Sequence, residues 1–490
     1  MRILLVSAAT PDTFWSYKHV LPLVSKKAVF PPLGLLTVAA MLPREWELEL
    51  VDLNVDRLSD EQIRRADYVM VSAMIVQADS ARRVIERCRR LDRPVIAGGP
   101  LFTTGHDTFV PAAHFVAGEA EEIMPALVED MRAGTLRPLY RAEGRPDVRR
   151  TPAPRWDLVD LRSYALMPVQ FSRGCPFDCE FCDVIVMNGR VPRVKDVGQM
   201  IGELDGLLEA GWRGPIFIVD DNFIGNRAKV RELLVALIEW RRRRRVAVQF
   251  TTEASLNLAD EPELLALMAE AGFKKVFVGL ETPQLESLVE CAKVQNVRRD
   301  MLEAVRTIQR AGLEVMGGFI VGFDSDEPGI FERQIRFVQE AGVVTAMVGL
   351  LTALPGTRLF SRLQREGRIL RETTGNNMDG VLNFVPRLDR QMLLEGYRSL
   401  VQQLYAPRTY YRRILTFLRE YRPRGPRFQI SRSDVLALIK SFWVIGLRGP
   451  GRREYWKFLA RILLFHRRAF AEAMSLAIYG YHYRRIAATL

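Results

Sequence analysis

Short apolar runs mark the first 135 positions. ILLVS (3–7), LELVD (48–52), YVMVSA (68–73), PVIAGG (94–99) and HFVAG (114–118) are rich in Val, Ile and Leu and read as strands. Between them LLTVAAMLP, DEQIRRA and DSARRVIERCRR read as helices. Strands this apolar, linked by helices, predict a parallel sheet covered on both faces. Ligands on such sheets bind at the carboxyl ends of the strands. The turns there are built from Ser72, Gly98, Gly99, Pro100, Thr103, Thr104 and Gly118.

Residues 136–165 are rich in Pro and Arg, lack a period, and read as a linker. A second series of strands follows at 167–172, 215–221, 246–253, 275–281, 315–323 and 345–354. Helical stretches such as 197–210, 228–243, 261–271 and 298–311 separate them. Six βα units over 166–390 predict a partial (β/α)6 TIM-like barrel, with its chemistry at the strand carboxyl ends. From 391 to 490 the pattern is helical, basic and aromatic.

The length of 490 residues allows several domains. No apolar run is long enough to cross a bilayer, VLALIKSFWVIGL (435–447) included, and the first residues read as a strand rather than a secretion signal. The expected location is cytoplasmic. The formal net charge of +12 is uneven: residues 391–490 hold 19 Lys and Arg against 5 Asp and Glu, and the rest hold 51 against 53. The basicity belongs to one module. The run Arg241–Arg245 at the end of a helix reads as a solvated terminus.

Five cysteines occur, and three fall within eight residues, in VQFSRGCPFDCEFCD. Cys88 and Cys291 stand alone and read as small buried hydrophobes. Cys175, Cys179 and Cys182 are too close together for a disulfide framework. Thiolates are the usual ligands of iron–sulfur clusters, and three of them leave one iron of a cubane open. Structural zinc would want a fourth ligand, and no histidine is near.

Cys-x3-Cys-x2-Cys with Phe181 before the last cysteine, after the first strand of a βα series, resembles the radical S-adenosylmethionine (SAM) superfamily. That resemblance implies a [4Fe–4S] cluster whose open iron chelates the amino and carboxylate groups of SAM. Reductive cleavage of a C–S bond then yields a 5′-deoxyadenosyl radical that abstracts hydrogen from an unactivated carbon. It also implies an external electron donor of flavodoxin or ferredoxin type. By position, Asp220, Asp221 and Asn222 resemble the element for the ligand's amino group. Glu253 and Glu281 resemble ribose-contacting carboxylates, and Ser255 and Gly318 are further candidates. Each of the polar residues could equally be a helix cap, and a glycine at 318 could mark a bulge instead of a close ligand approach.

A flavodoxin-like (Rossmann-like) domain ahead of such a barrel resembles the cobalamin-binding domain of cobalamin-dependent radical SAM enzymes, and most closely the hopanoid-methylase-like group. The expected organisation is therefore 1–135 cobalamin-binding-like, 136–165 linker, 166–390 radical SAM core and 391–490 helical extension. Cobalamin would contact Asn54, Ser72, Met74, Gly98, Gly99, Thr103, Thr104 and Glu119. One departure is clear: Asp52-Leu53-Asn54-Val55-Asp56-Arg57 lacks the histidine and glycine of the Asp-x-His-x-x-Gly motif that ligates cobalt. Methylthiotransferases are disfavoured, because the N-terminal domain offers only Cys88 for the second cluster they carry.

The implied activity is methylation of an unactivated carbon of a hydrophobic, isoprenoid or hopanoid-like substrate. The alternatives are oxidation, cyclisation or rearrangement without methyl transfer, or a non-catalytic iron–sulfur protein that binds RNA or membrane. For the tail, the readings are a helical subdomain packed on the barrel with solvated arginines, a surface for peripheral membrane contact that admits a lipid, and, least expected, a nucleic-acid site.

Overall fold

The computed structural model describes residues 1–109, 111–424 and 432–490, the side chains of 432–434 excepted. Its first sheet comprises β1 (Arg2–Ser7), β2 (Glu47–Asp52), β3 (Tyr68–Ser72), β4 (Val95–Gly98), β5 (His114–Ala117) and β6 (Leu139–Arg141). All are parallel, in the spatial order β2-β1-β3-β4-β5-β6. Alternate side chains feed two apolar layers, with Leu4, Val6, Val69 and Val71 on one face and Ile3, Leu5, Met70 and Ile96 on the other. The order reverses between β1 and β3, which is where such sheets hold ligands. β6 lies inside the stretch expected to be a linker. Its register is Phe115↔Leu139 through Ala117↔Arg141, and its three residues are too few to show a period amid Pro and Arg.

β7 (Met167–Val169) opens the second sheet. A hairpin of β8 (Ser172–Arg173) and β9 (Arg193–Val194) follows, then β10 (Ile216–Ile218), β11 (Phe250–Glu253), β12 (Phe273–Glu281), β13 (Glu314–Val321) and β14 (Ala346–Leu350). The parallel order is β14-β13-β12-β11-β10-β7, so each strand neighbours the next and the arc stays open between β7 and β14. This is the partial barrel expected. The helices Val197–Glu209, Arg227–Arg244 and Pro262–Ala271 bury Leu204, Leu207, Leu233, Leu237, Leu264 and Met268 against its outside. Arg241 is not solvated as expected. It is buried, and donates to the carbonyl of Glu270 at 3.1 Å, because its stem crosses to the next helix end.

The C-terminal residues pack as helices on the barrel. From the helix Arg390–Tyr405, Tyr397 donates to the Val348 carbonyl at 3.2 Å and Tyr405 to the Ala346 carbonyl at 2.6 Å. From the helix Pro407–Glu420, Arg413 is fully buried and donates to the carbonyls of Leu404 and Val344. The expectation of solvated tail arginines fails there, because these carbonyls face a dry interface. The last helix, Phe470–Ala487, returns to the N-terminus: Tyr483 stacks on Phe14 at 4.1 Å and its hydroxyl lies 2.9 Å from that of Tyr17. No described helix is long and apolar enough to cross a membrane.

Candidate active site

The three-cysteine loop leaves the barrel after β7 and is held by two acids. Asp220 accepts from the Phe171 amide at 2.8 Å and the Ser172 hydroxyl at 2.7 Å. Asp221 accepts from the Gly174 amide at 2.7 Å and from the Asn188 amide group. Burial pushes the Asp220 carboxyl up to about 7 and raises that of Asp221. Both carboxylates of the pair expected near the ligand's amino group are thus engaged by the loop itself. Asn222 does reach the site: its amide nitrogen lies 3.8 Å from Cys175 Sγ, and its carbonyl oxygen accepts from the Ser255 amide at 3.2 Å. Ser255 also bridges to Asn257, so it acts as a turn residue as well as a wall.

Cys175 and Cys182 are part-exposed and Cys179 is buried. Burial raises the Cys179 thiol and pushes Cys182 up to about 12. Donors nevertheless converge on the sulfurs. Gln295 Nε2 lies 3.7 Å from Cys179 Sγ, opposite Asn222 on Cys175, and the Lys293 ammonium acts on both Cys179 and Cys182. Two amides and a cation around three thiols suit thiolate ligands of a cluster, whose excess negative charge needs compensation. Among the described residues no three His, Cys, Asp or Glu converge as a site for one metal ion. Phe181 packs against Phe323 at 6.2 Å, in an apolar patch with Cys291 and Leu351 that backs the loop.

Glu281 ends β12 in the left-handed region, at φ 62°, and accepts from Lys293 Nζ at 2.6 Å. A Cβ on Gly279 would press on the Glu281 carboxylate and the Lys293 ammonium, so the pair fills the space a side chain there would take. Burial works against the Lys293 charge, but Glu281 and then Cys179 more than offset it and its pKa is raised. Neither Lys293 nor Gln295 was expected from sequence. A lysine and a glutamine in an ordinary helical stretch carry no local motif. Gly318 leaves room for the ring of Phe277, 2.7 Å from where its Cβ would stand, so that space holds a side chain where a ligand was expected.

Glu253 differs from the other acids. It has no hydrogen-bond partner among the described residues, and burial with Asp221 and Asp220 nearby pushes it up to about 8. It projects into a cavity of about 2090 Å³ that runs through the barrel lumen to its base. The walls are largely apolar: Trp15, Phe30, Phe217, Phe277 and Met316, with Met74 from the end of β3. The cavity is thus lined by the second sheet and by segments that follow β1 and β3 of the first.

The carboxyl edge of the first sheet carries the remaining candidates. Gly99 has φ 97° and its Cβ would strike Ser72 Oγ at 2.9 Å, which fixes this turn against β3. Gly98 continues the strand beside Val116. Thr103 accepts from the Gly118 amide at 3.0 Å, and Thr104 donates to its own helix. A Cβ at Gly105 or Gly118 meets nothing within 4 Å, so this edge is open to its surroundings. Asn54 is tied into the loop: it accepts from the Thr10 amide at 2.8 Å and donates to Asp52 and the Ala8 carbonyl. Glu119 is also committed elsewhere. It bridges Arg173 at 2.7 Å and Arg193 at 2.7 Å, while Glu121 takes the other side of Arg173. These buried bridges, with Tyr164 donating to Asp52 at 3.1 Å, fasten the first sheet to the cysteine loop.

Known proteins bear on this arrangement. Residues 169–338 match the radical SAM superfamily, residues 21–128 the B12 binding domain and residues 357–490 a domain of unknown function. An uncharacterized methyltransferase of Synechocystis sp. is 40% identical over 489 residues, 99% of this chain and 91% of that protein. The hopanoid C-2 methylase of Rhodopseudomonas palustris is 35% identical over 477 residues, 94% and 89% of the two chains. In fold, the cobalamin-dependent radical enzyme OxsB superposes with a TM-score of 0.64 at 15% identity, covering 100% of this chain and 80% of that one. The methyltransferase TsrM from Kitasatospora setae, with cobalamin and a [4Fe-4S] cluster bound, superposes at 0.66 with 16% identity and 99% of each chain. Alike over nearly its whole length to two methylating enzymes, and carrying both domains, the chain belongs to the radical SAM superfamily as one of its cobalamin-dependent methyltransferases.

Proposed function

We propose that this methyltransferase acts on an unactivated carbon of an isoprenoid-class, hopanoid-like lipid held in the barrel cavity. The observation that carries the reading is the cavity itself: about 2090 Å³, mostly apolar, reaching from Glu253, whose carboxyl feels Asp221 and Asp220, to Met74 on the cobalamin domain. A largely hydrophobic site with a few placed polar groups suits a bulky apolar molecule. The 35% identity to a hopanoid C-2 methylase supports the same class.

Cys175, Cys179 and Cys182 would hold the cluster, and the carboxyl edge of the first sheet, with Met74, Gly99 and Thr103, would hold cobalamin. When bound, the cluster with SAM supplies the means to remove a hydrogen atom, and cobalamin supplies the methyl group. The chain's own residues do the rest. Asn222 and Gln295 direct amide donors at two sulfurs. Glu253 offers an unpaired carboxyl to a cationic sulfonium or to ribose hydroxyls. Glu281, held by Lys293, keeps a second carboxylate fixed at the end of β12. Trp15, Phe217 and Phe277 exclude water around the substrate. Asn54 is consumed within its loop, so it would steady this edge rather than ligate a bound cobalamin.

The test is anaerobic reconstitution with iron, sulfide and cobalamin, then incubation with SAM, a reductant and a hopanoid in detergent. A product heavier by one CH2 supports the reading. Turnover of SAM to 5′-deoxyadenosine with no methylated isoprenoid contradicts it.

A further inference from the structure

The C-terminal residues that follow the barrel-packed helices form a hairpin whose outer surface is covered by none of the described residues. Its first limb is the helix Arg432–Ser441 continued by the π-helical turn Phe442–Leu447, and its second is the helix Arg452–Phe465. The limbs are joined internally, with Trp456 Nε1 donating to the Gly446 carbonyl at 2.9 Å and Phe442 stacked on Trp456 at 5.9 Å. Outward, the first limb presents Leu436, Ile439, Trp443 and Leu447, spaced to share one helical face. The second ends in Leu463, Leu464 and Phe465, with Phe465 75% exposed. Soluble surfaces rarely concentrate large apolar side chains this way unless something docks there.

Charge surrounds these side chains with one sign. Residues 435–468 contain eight Lys and Arg and a single acid, Glu454. Lys457 and Arg461 lie on the outer side of the second limb, and Arg448 covers the Trp443 ring at 4.8 Å. Aromatic and aliphatic groups set among cations complement a bilayer surface with anionic headgroups, where the apolar groups enter the acyl boundary and the cations meet phosphate.

The location gives the surface a purpose. The first limb packs on the turn Leu21–Val24, and Lys440 donates to the Pro22 carbonyl at 3.3 Å. Leu21 and Val24 line the cavity, as do the exposed Arg162, Arg213, Arg244 and Arg245 at the barrel base. The apolar hairpin therefore adjoins the cavity mouth, and its neighbours there are again basic.

We propose that this hairpin docks on an anionic membrane and places the cavity mouth at the leaflet, so that a lipid substrate enters without crossing water. The proposal builds on the lipid-substrate reading but is tested apart from turnover. The full-length protein is sedimented with vesicles of neutral phosphatidylcholine and with vesicles enriched in phosphatidylglycerol, at low and high salt. Binding is expected to the anionic vesicles and to weaken with salt. Trp443→Glu combined with Phe465→Glu should abolish it, with circular dichroism and 5′-deoxyadenosine formation unchanged. Lys457→Glu should weaken it by about fivefold or more, the scale of one basic residue at a charged surface. Absence of vesicle binding, or equal binding by the variants, overturns the proposal. So does a dimer that the double variant converts to monomer, or retention on RNA without retention on vesicles. Methylation of a detergent-dispersed isoprenoid with no vesicle binding would leave the substrate reading standing and sink only the docking.

Discussion

Lys293 Nζ lies 2.6 Å from Glu281 Oε1, and the glycine at 279 is what leaves room for the two. The pair joins the end of β12 to the segment carrying Gln295, which in turn faces Cys179. A carboxylate in a left-handed conformation and a buried ammonium are both costly alone, so each depends on the other.

Removing one partner should therefore damage more than removing both. Lys293→Met is expected to destabilise by about 3–5 kcal/mol, because Glu281 is left buried and unpaired. Lys293→Met with Glu281→Gln should recover part of that loss. Chemical denaturation of the four proteins reads the cycle, and additive losses would contradict the coupling. Gly279→Ala should resemble the single variant and lower 5′-deoxyadenosine formation.

Glu253 yields a pH prediction whose sign is fixed. Its folded-state pKa is raised to about 8 from the ordinary glutamate value of 4.5, chiefly by burial. The protonated form is thus favoured in the fold, and stability falls as pH rises from 4.5 through 8. Glu253→Gln should be the more stable protein at pH 8, by roughly 1–2 kcal/mol once solvent in the cavity is allowed for. The difference should vanish toward pH 4.5. A thermal melt series across that range checks it, and a gap that widens at low pH would contradict it. The same carboxyl should lose its proton when a sulfonium binds, so wild-type SAM binding should release a proton near neutral pH and the variant should not.

The bridges from Glu119 to Arg173 and Arg193 hold the cobalamin domain against the cysteine loop. Glu119→Gln should loosen that registration without touching a cluster ligand. Methylated product is expected to fall several-fold while SAM cleavage changes less, so more 5′-deoxyadenosine forms per product. Equal loss of both would show that the bridge supports the loop alone.

Asn54 should behave as a loop residue. Asn54→Ala is expected to lower cobalamin retention, because the Thr10 amide and the Ala8 carbonyl lose their partner. The visible spectrum of the cobalamin that remains should be unchanged. A spectral change would mean that Asn54 reaches the cobalt.

Much of this was legible in the chain because the period and the motif are local properties. The continuous apolar runs marked both sheets, and the spacing of Cys175, Cys179 and Cys182 marked the loop after β7. What escaped depends on distant contacts. β6 is short and sits among prolines, so only its pairing with β5 reveals it. Asp220 and Asp221 look like ligand carboxylates in sequence, but the amides of Phe171 and Gly174 claim them in space. Lys293 lies 12 residues beyond Glu281, and only the fold turns that interval into an ion pair. Likewise Arg413 and Arg241 read as surface charge until their carbonyl partners are seen.

The most direct measurement is the product of the reconstituted holoenzyme given a hopanoid and SAM carrying a labelled methyl group. The account predicts labelled lipid heavier by one CH2, formed together with 5′-deoxyadenosine, and neither product from Cys179→Ala. Unlabelled or unchanged lipid beside active SAM cleavage, or cleavage that persists in Cys179→Ala, would contradict it.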